Sequence, residues 1–139
     1  AGGNYLSNVA PDPDGVIPAA ACERLLAVGH WLQAHGEAIY GSQRLLPDWW
    51  DYTSTGRITT LGNCAYLIIQ DWSPNGVLSI GQLKNQVLRA TLLSTGQELQ
   101  VRREGRRIII EDLPILPPAM PYNVVKLELD RSAEAQYYY

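Results

Sequence analysis

The sequence predicts a mainly β protein, in which an antiparallel β-sandwich follows a single strand–loop–helix unit. Two observations predict this fold class: apolar residues at helical spacing occur over residues 19–34, and the signals beyond residue 55 are those of short strands and tight turns. We divide the chain into the strand–loop–helix unit at 1–41, a linker at 42–56, the sandwich at 57–130 and a tail at 131–139.

The first unit is predicted from its turn and helix signals. Residues 4–9 read as a short buried strand, residues 12–15 as a Pro/Asp/Gly turn, and Pro18 suits the first turn of the helix over 19–34, which Gly36 ends. A parallel strand is normally covered on both sides by neighbours. Because no second strand–helix unit follows, we expect this strand and its helix to lack part of their surroundings.

The second part of the chain shows alternation and hairpin turns. Seven strands are predicted, at 57–61, 64–72, 77–80, 87–93, 98–104, 107–113 and 123–130. In the last of them Val125, Leu127 and Leu129 alternate with charged residues, so one face is predicted to be wet. Asn75-Gly76 and Thr95-Gly96 suit tight turns between strands, and an antiparallel sandwich accommodates this pattern.

Composition excludes several classes of protein. The formal net charge of −3 gives no electrostatic footprint for nucleic acid, and no apolar run approaches the roughly 20 residues of a membrane helix, so we expect neither partner. Cys22 and Cys64 have no CxxC partner and are predicted to be buried free thiols. His30 and His35 point in different directions on a helix, so they cannot share a metal ion and we expect solvated side chains. No P-loop or GxGxxG motif occurs, and we expect no metal site and no cofactor.

A family resemblance begins in the first unit. Residues 4–18 read Asn-Tyr-Leu-Ser-Asn-Val-Ala-Pro-Asp-Pro-Asp-Gly-Val-Ile-Pro, which resembles the end of the catalytic barrel of α-L-fucosidases of glycoside hydrolase family 29. Three further strings resemble that family's C-terminal β-sandwich, at 60–67, 71–76 and 83–87. Ser7 and Ala10 depart from the usual Leu and Gly of the family. The resemblance implies that the first unit is a remnant of a (β/α)8 barrel.

The same resemblance implies a function. Enzymes of this family hydrolyse α-L-fucosides with retention, using two carboxyl groups, and both belong to the part of the barrel that precedes the segment present here. We therefore expect no catalytic residue in this chain, and a non-catalytic segment that supports hydrolysis by the missing barrel. The resemblance implies that barrel portion as a partner and fucosylated glycans as ligands, in an extracytoplasmic location that is periplasmic, secreted or lysosomal.

Four residues are candidates for binding substrate. Asn8 lies at the end of the predicted barrel strand and Asp12 just after it, on the side where barrel enzymes bind substrate. Trp49 and Trp50 in the linker offer rings on which a sugar could stack. The plainer interpretations are that Asp12 belongs to a turn and that the linker tryptophans join the barrel to the sandwich.

Two other functions remain open at this point. The sandwich could be a carbohydrate-binding accessory module that acts through its tryptophans. Alternatively, the chain could be a structural protein that forms oligomers or filaments, because an unpaired strand and the tail Tyr137, Tyr138 and Tyr139 could recruit other copies.

Overall fold

The computed structural model of the chain describes residues 5–45, 55–81 and 83–136. Helix α1 spans Ala19–His35 and continues into a short 3-10 helix, Gly36–Ala38. The strands within the described residues are β1 (Gln43–Arg44), β2 (Gly56–Leu61), β3 (Cys64–Ile69), β4 (Leu78–Ile80), β5 (Val87–Leu92), β6 (Gln97–Glu104), β7 (Arg107–Glu111) and β8 (Asn123–Leu129).

The strands form an antiparallel sandwich, as predicted. Their order is β1-β2-β3-β8-β5-β6-β7-β4. The long strand β6 belongs to both layers, because residues 97–99 pair with β5 and residues 100–104 pair with β7. The apolar core lies between the layers and includes Ile58, Leu67, Ile80, Leu92, Ile110 and Leu127, each less than 2% exposed.

All seven predicted strands form, with ends displaced by a few residues. The predicted strand at 64–72 already ends at Ile69, because the N–H groups of Gln70 and Asp71 turn to donate to the carbonyl of Thr55. Strand β1 is an addition at the start of the predicted linker, where Gln43 pairs with Thr60. Two residues are too few to carry a periodic signal that sequence analysis detects.

Strand β3 is covered on both faces. Ala65, Leu67 and Ile69 enter the sandwich core, while Tyr66 on the opposite face packs with Ala38 and Val124. Trp31 of α1 also packs there. The end of α1 and the 3-10 helix therefore lie against the outer face of the sheet.

The predicted strand at residues 4–9 is wrong for the part that the structure describes. Residues 5–9 form no strand, and Tyr5 and Leu6 are 90% and 91% exposed. A strand is held by hydrogen bonds to neighbouring strands, and none of the residues in the described ranges pairs with this stretch. The segment therefore has strand composition without the partners that a strand requires.

The segment after β8 is fixed to the sandwich by Asn85, which is fully buried. Its amide nitrogen lies 3.2, 3.2 and 3.0 Å from acceptors of Asp130, Arg131 and Ser132, and its oxygen accepts from the N–H of Glu134 at 2.6 Å. Residues 131–136 of the predicted tail are thus part of the folded unit, while Tyr137, Tyr138 and Tyr139 lie outside the described residues.

Candidate functional site

The loop before α1 is organised by Asp12. Its Oδ1 accepts hydrogen bonds from the N–H groups of Asp14 at 3.0 Å and Val16 at 2.8 Å. Backbone bonds join Asp12 to Val16 and to Gly15, and Gly15 has a φ of 82°, which favours glycine. The turn prediction is confirmed, and one oxygen of this carboxylate is already occupied by the loop itself.

Of the four predicted binding residues, two lie within the described part of the chain. Asn8 and Asp12 are both exposed on the loop that precedes α1. Trp49 and Trp50 lie outside the described residues, so a sugar platform in the linker stays a prediction. The structure thus brings two of the four residues onto one exposed loop.

Helix α1 is covered only near its C-terminal end. Leu25, Leu26 and Val28 are 43%, 62% and 55% exposed, although Trp31 and His35 pack toward the sheet. At 3.6 residues per turn, Leu26 lies about 180° from His35 around the axis. A helix that carries apolar residues on opposite sides is normally buried on both. The described part of the chain covers only the side of His35, and only near the C-terminal end, because Val28 lies about 20° from His35 around the axis and is still 55% exposed.

The covered end of α1 forms the helix–sheet junction, which consists of Trp31, His35, Glu37, Tyr66 and Lys126. Trp31 donates from Nε1 to the carbonyl of Tyr122 at 2.7 Å and stacks on His35 with ring centroids 4.7 Å apart. His35 Nδ1 lies 3.0 Å from the Trp31 carbonyl, which can only accept, so Nδ1 carries the proton.

His35 departs from its prediction. The side chain is 2% exposed, and its Nε2 is buried without a hydrogen-bond partner among the described residues. The expectation of a solvated side chain is wrong because α1 turns this residue toward the sheet, where it stacks on Trp31. His30, on another side of the same helix, is exposed as predicted.

Charge is concentrated at Glu37. Its Oε2 accepts from Lys126 Nζ at 2.8 Å and from the Tyr66 hydroxyl at 3.0 Å. Partial burial opposes ionisation of Glu37, but the hydrogen bonds from Lys126 and Tyr66 outweigh it and hold the pKa below its ordinary value. The hydrogen bond to Glu37 raises the pKa of Lys126. Burial, and then the Glu37 carboxylate, raise the pKa of the Tyr66 hydroxyl.

The sequence analysis did not identify this junction. The signal that could have found it is the run Cys-Ala-Tyr-Leu-Ile-Ile in β3, which is apolar at successive positions and not only at alternate ones. Such a strand is buried on both faces. A covering element was therefore to be expected on the second face.

Chemistry within the described residues is limited. They include no group of three His, Cys, Asp or Glu side chains that could hold a metal ion. Cys22 and Cys64 are unpaired thiols, each half-buried. Glu37, Glu98, Glu111 and Glu134 are each in an ion pair with a Lys or Arg. No helix in the described part of the chain is long and apolar enough to cross a bilayer.

Comparison with known proteins identifies what this arrangement resembles. A family model described as alpha-L-fucosidase matches residues 1–37, which include the loop and α1. Tissue alpha-L-fucosidase of Homo sapiens is 37% identical over 119 residues, covering 85% of this chain and 26% of that protein. Plasma alpha-L-fucosidase of Homo sapiens is 36% identical over 121 residues, covering 79% of this chain and 25% of that protein.

A solved structure gives the same result. Alpha-L-fucosidase isoenzyme 1 from Paenibacillus thiaminolyticus superposes with a TM-score of 0.75 and 27% identity, over 88% of this chain and 30% of that one. The chain spans about a quarter of the length of the curated relatives that it matches. The resemblance predicted from the motifs is confirmed, and the fold fits the β-rich C-terminal domain of these proteins.

Proposed function

We propose, from this resemblance to α-L-fucosidases, that the chain is the C-terminal segment of a retaining α-L-fucosidase. It is non-catalytic alone and supports hydrolysis of α-L-fucosides by completing a barrel that the rest of such an enzyme supplies. The observation that carries the proposal is the exposed apolar side of α1. The family model matches this helix, and in the curated relatives about three quarters of the polypeptide lies outside the matched part.

Docking through α1 is energetically reasonable. Each helix of a (β/α)8 barrel packs on the strands inside it. Leu25, Leu26 and Val28 retain about half of their surface, and burying the rest of each side chain contributes about 1 kcal/mol. Val16 and Ile17, just before α1, are also exposed, at 58% and 45%.

The loop before α1 then borders the sugar site. Loops that follow barrel strands form the substrate face of the barrel, and this loop carries Asn8 and Asp12. Asn8 contributes an exposed amide, whereas Asp12 shapes the loop because its Oδ1 holds two backbone N–H groups. The two carboxyl groups of a retaining mechanism, about 5–5.5 Å apart, come from the barrel portion.

Activity measurements test this proposal. The purified chain alone is expected to show no turnover of an aryl α-L-fucoside. A chimera in which the chain replaces the matching segment of the Paenibacillus thiaminolyticus enzyme is expected to hydrolyse it. Turnover by the chain alone that persists through repurification, or a folded but inactive chimera, would contradict the proposal.

A matched pair of variants shows whether α1 is responsible. Leu26→Asp in the chimera places a charge on the proposed interface and is expected to abolish soluble, active enzyme. Leu88→Asp in β5 changes a residue with 63% exposure, close to the 62% of Leu26, and is expected to leave activity within about twofold. Equal effects of the two substitutions on activity would show that α1 does not form the interface with the barrel portion.

Location and natural context follow from the same proposal. We propose an extracytoplasmic location, which is supported by the similarity to a protein named plasma alpha-L-fucosidase. The natural gene product is expected to have a mass well above the 15.4 kDa of this sequence. An intact mass measured from the native source checks that expectation, and a mass near 15.4 kDa would oppose it.

A further inference from the structure

A second exposed apolar surface lies in the loop between β7 and β8. Residues 114–122 contain no charged side chain, and Ile115, Leu116 and Met120 are 74%, 77% and 76% exposed. Single exposed apolar residues are common on proteins, but three large ones within six residues form a patch that typically marks an interaction surface.

The start of this loop is held in place. Trp72 donates from Nε1 toward the carbonyls of Pro114 and Ile115, at 3.0 and 3.3 Å. Trp72 itself packs against the sandwich core. The loop therefore leaves the sandwich in a fixed direction.

The end of the loop is held as firmly. The buried side chain of Asn123 accepts from the N–H of Ala119 at 3.2 Å and donates to its carbonyl at 2.9 Å. Ser94 donates to the same Asn123 oxygen at 3.0 Å. Four prolines between these anchors restrict the backbone further. The apolar side chains are thus presented in an ordered arrangement, which lowers the entropy cost of binding.

The end of this loop contacts the helix whose apolar side is exposed. The loop ends at Tyr122, whose carbonyl accepts the 2.7 Å hydrogen bond from Trp31 of α1. The three most exposed side chains, Ile115, Leu116 and Met120, are uncharged and non-aromatic, which suits an apolar protein surface, whereas sugar sites need aromatic faces and polar groups. The one aromatic ring of the loop, Tyr122, is less exposed, at 41%. The partner that covers α1 is therefore placed to reach the loop as well.

We propose that residues 114–122 form the contact of the sandwich with the barrel portion, next to the contact made by α1. This inference rests on the proposed function. It assigns the barrel two adjoining surfaces: the apolar side of α1, which belongs to the barrel unit itself, and the loop, which belongs to the sandwich.

Met120 provides a direct probe because it is the single methionine of the chain. Its oxidation by dilute hydrogen peroxide is followed by peptide mass spectrometry in the isolated chain and in the chimera described above. At 76% exposure, Met120 is expected to react in the isolated chain at close to the rate of a free peptide. In the chimera the rate is expected to fall at least tenfold.

The outcomes separate the two proposals. An active chimera in which Met120 reacts as fast as in the isolated chain would overturn the loop contact and leave the proposed function standing. An inactive chimera in which Met120 is protected would overturn the proposed function and support the loop contact. An inactive chimera in which Met120 is unprotected would count against both proposals. Protection that grows with the concentration of the isolated chain would assign the loop to a second copy and overturn the proposal.

A pair of variants gives a second measurement. Leu116→Asp and Leu88→Asp change leucines that are 77% and 63% exposed, so both are expected to leave the midpoint of thermal unfolding of the isolated chain nearly unchanged. In the chimera only Leu116→Asp is expected to lower it, by several degrees. Equal midpoints for the two variants in the chimera would contradict the loop contact.

Discussion

The sandwich buries its apolar side chains, whereas helix α1 leaves several of its own exposed. In the sandwich Ile58, Leu67 and Leu127 are at most 1% exposed, and the layers cover each other. In α1 Leu26 and Val28 are more than half exposed, although the same polypeptide supplies both regions. The difference teaches that the sandwich is complete within the described residues, whereas α1 has surface for a partner.

The two regions meet at the helix–sheet junction, where an apolar cluster around Ala38, Tyr66 and Val124 is combined with polar contacts. Trp31 is hydrogen-bonded to Tyr122, and Glu37 joins Tyr66 and Lys126. The ion pair between Glu37 and Lys126 fixes the direction of the helix more than it contributes stability, because the two side chains are 42% and 25% exposed. The sandwich therefore buries the C-terminal end of α1 and leaves the rest of the helix exposed.

The largest effect is expected when a leucine of the sandwich core is truncated and compared with a leucine of α1. Leu67→Ala is expected to lower the free energy of unfolding by about 2–5 kcal/mol, because Leu67 is 0% exposed and its removal leaves a cavity. Leu26→Ala, the matched change in α1, is expected to cost less than about 0.5 kcal/mol in the isolated chain. Urea denaturation measures both, and similar losses would show that α1 is buried after all.

A second, smaller effect is expected at Asn85. Asn85→Ala removes the buried amide that satisfies acceptors and a donor of residues 130–134, at an expected cost of about 1–3 kcal/mol. Asn75→Ala, which removes only exposed turn contacts, is the control. If the two substitutions lower the midpoint of thermal unfolding equally, residues 131–136 do not unfold cooperatively with the sandwich.

The smallest effect concerns the pH dependence of the junction. Because the pKa of Glu37 is lowered in the folded state, its contribution is present above the unfolded value of about 4.3 and is lost as the pH falls through the folded value. Glu37→Gln is expected to cost about 0.5 kcal/mol at pH 7 and less as the pH falls below about 4. Unfolding curves between pH 3 and pH 8 measure this difference.

The control for that titration is Glu98→Gln. Glu98 pairs with Arg89 on the sheet, and both side chains are at least half exposed, so a smaller change is expected. If the free energy of unfolding of Glu37→Gln equals that of the unmodified chain at every pH, the ion pair does not stabilise the junction.

The sequence predicted the sandwich well because its signals are local. Val125, Leu127 and Leu129 alternate with charged residues in β8, and all three enter the core. Asn75-Gly76 precedes β4 with Gly76 at a φ of 72°, as turn chemistry requires. In such segments propensity, periodicity and burial agree for the core face.

The wet face predicted for β8 is wrong. Val124 on that face is buried and packs with Tyr66, and Lys126 and Glu128 are half-buried. The cover comes from the helix–sheet junction, to which Tyr66 and Lys126 belong.

Prediction failed where the outcome depends on distant partners. Residues 4–9 have strand composition, but a strand also needs neighbours, and composition carries no information about them. The burial of His35 depends on the packing of α1 on β3, far away in the chain. At the candidate site the turn position of Asp12 was predictable, whereas Asn8 was predicted in a strand and lies in a loop. The uncovered side of α1 became evident only from exposure.

Amide hydrogen exchange of α1 tests the central claim, that this helix is built to be covered by a barrel, most directly. In the isolated chain the amides of residues 22–30 are expected to exchange much faster than those of β3 and β8, and in the active chimera they are expected to slow toward the rates of the sandwich. Exchange in α1 that is already as slow as in β3 in the isolated chain, or that does not change in the chimera, would contradict the account.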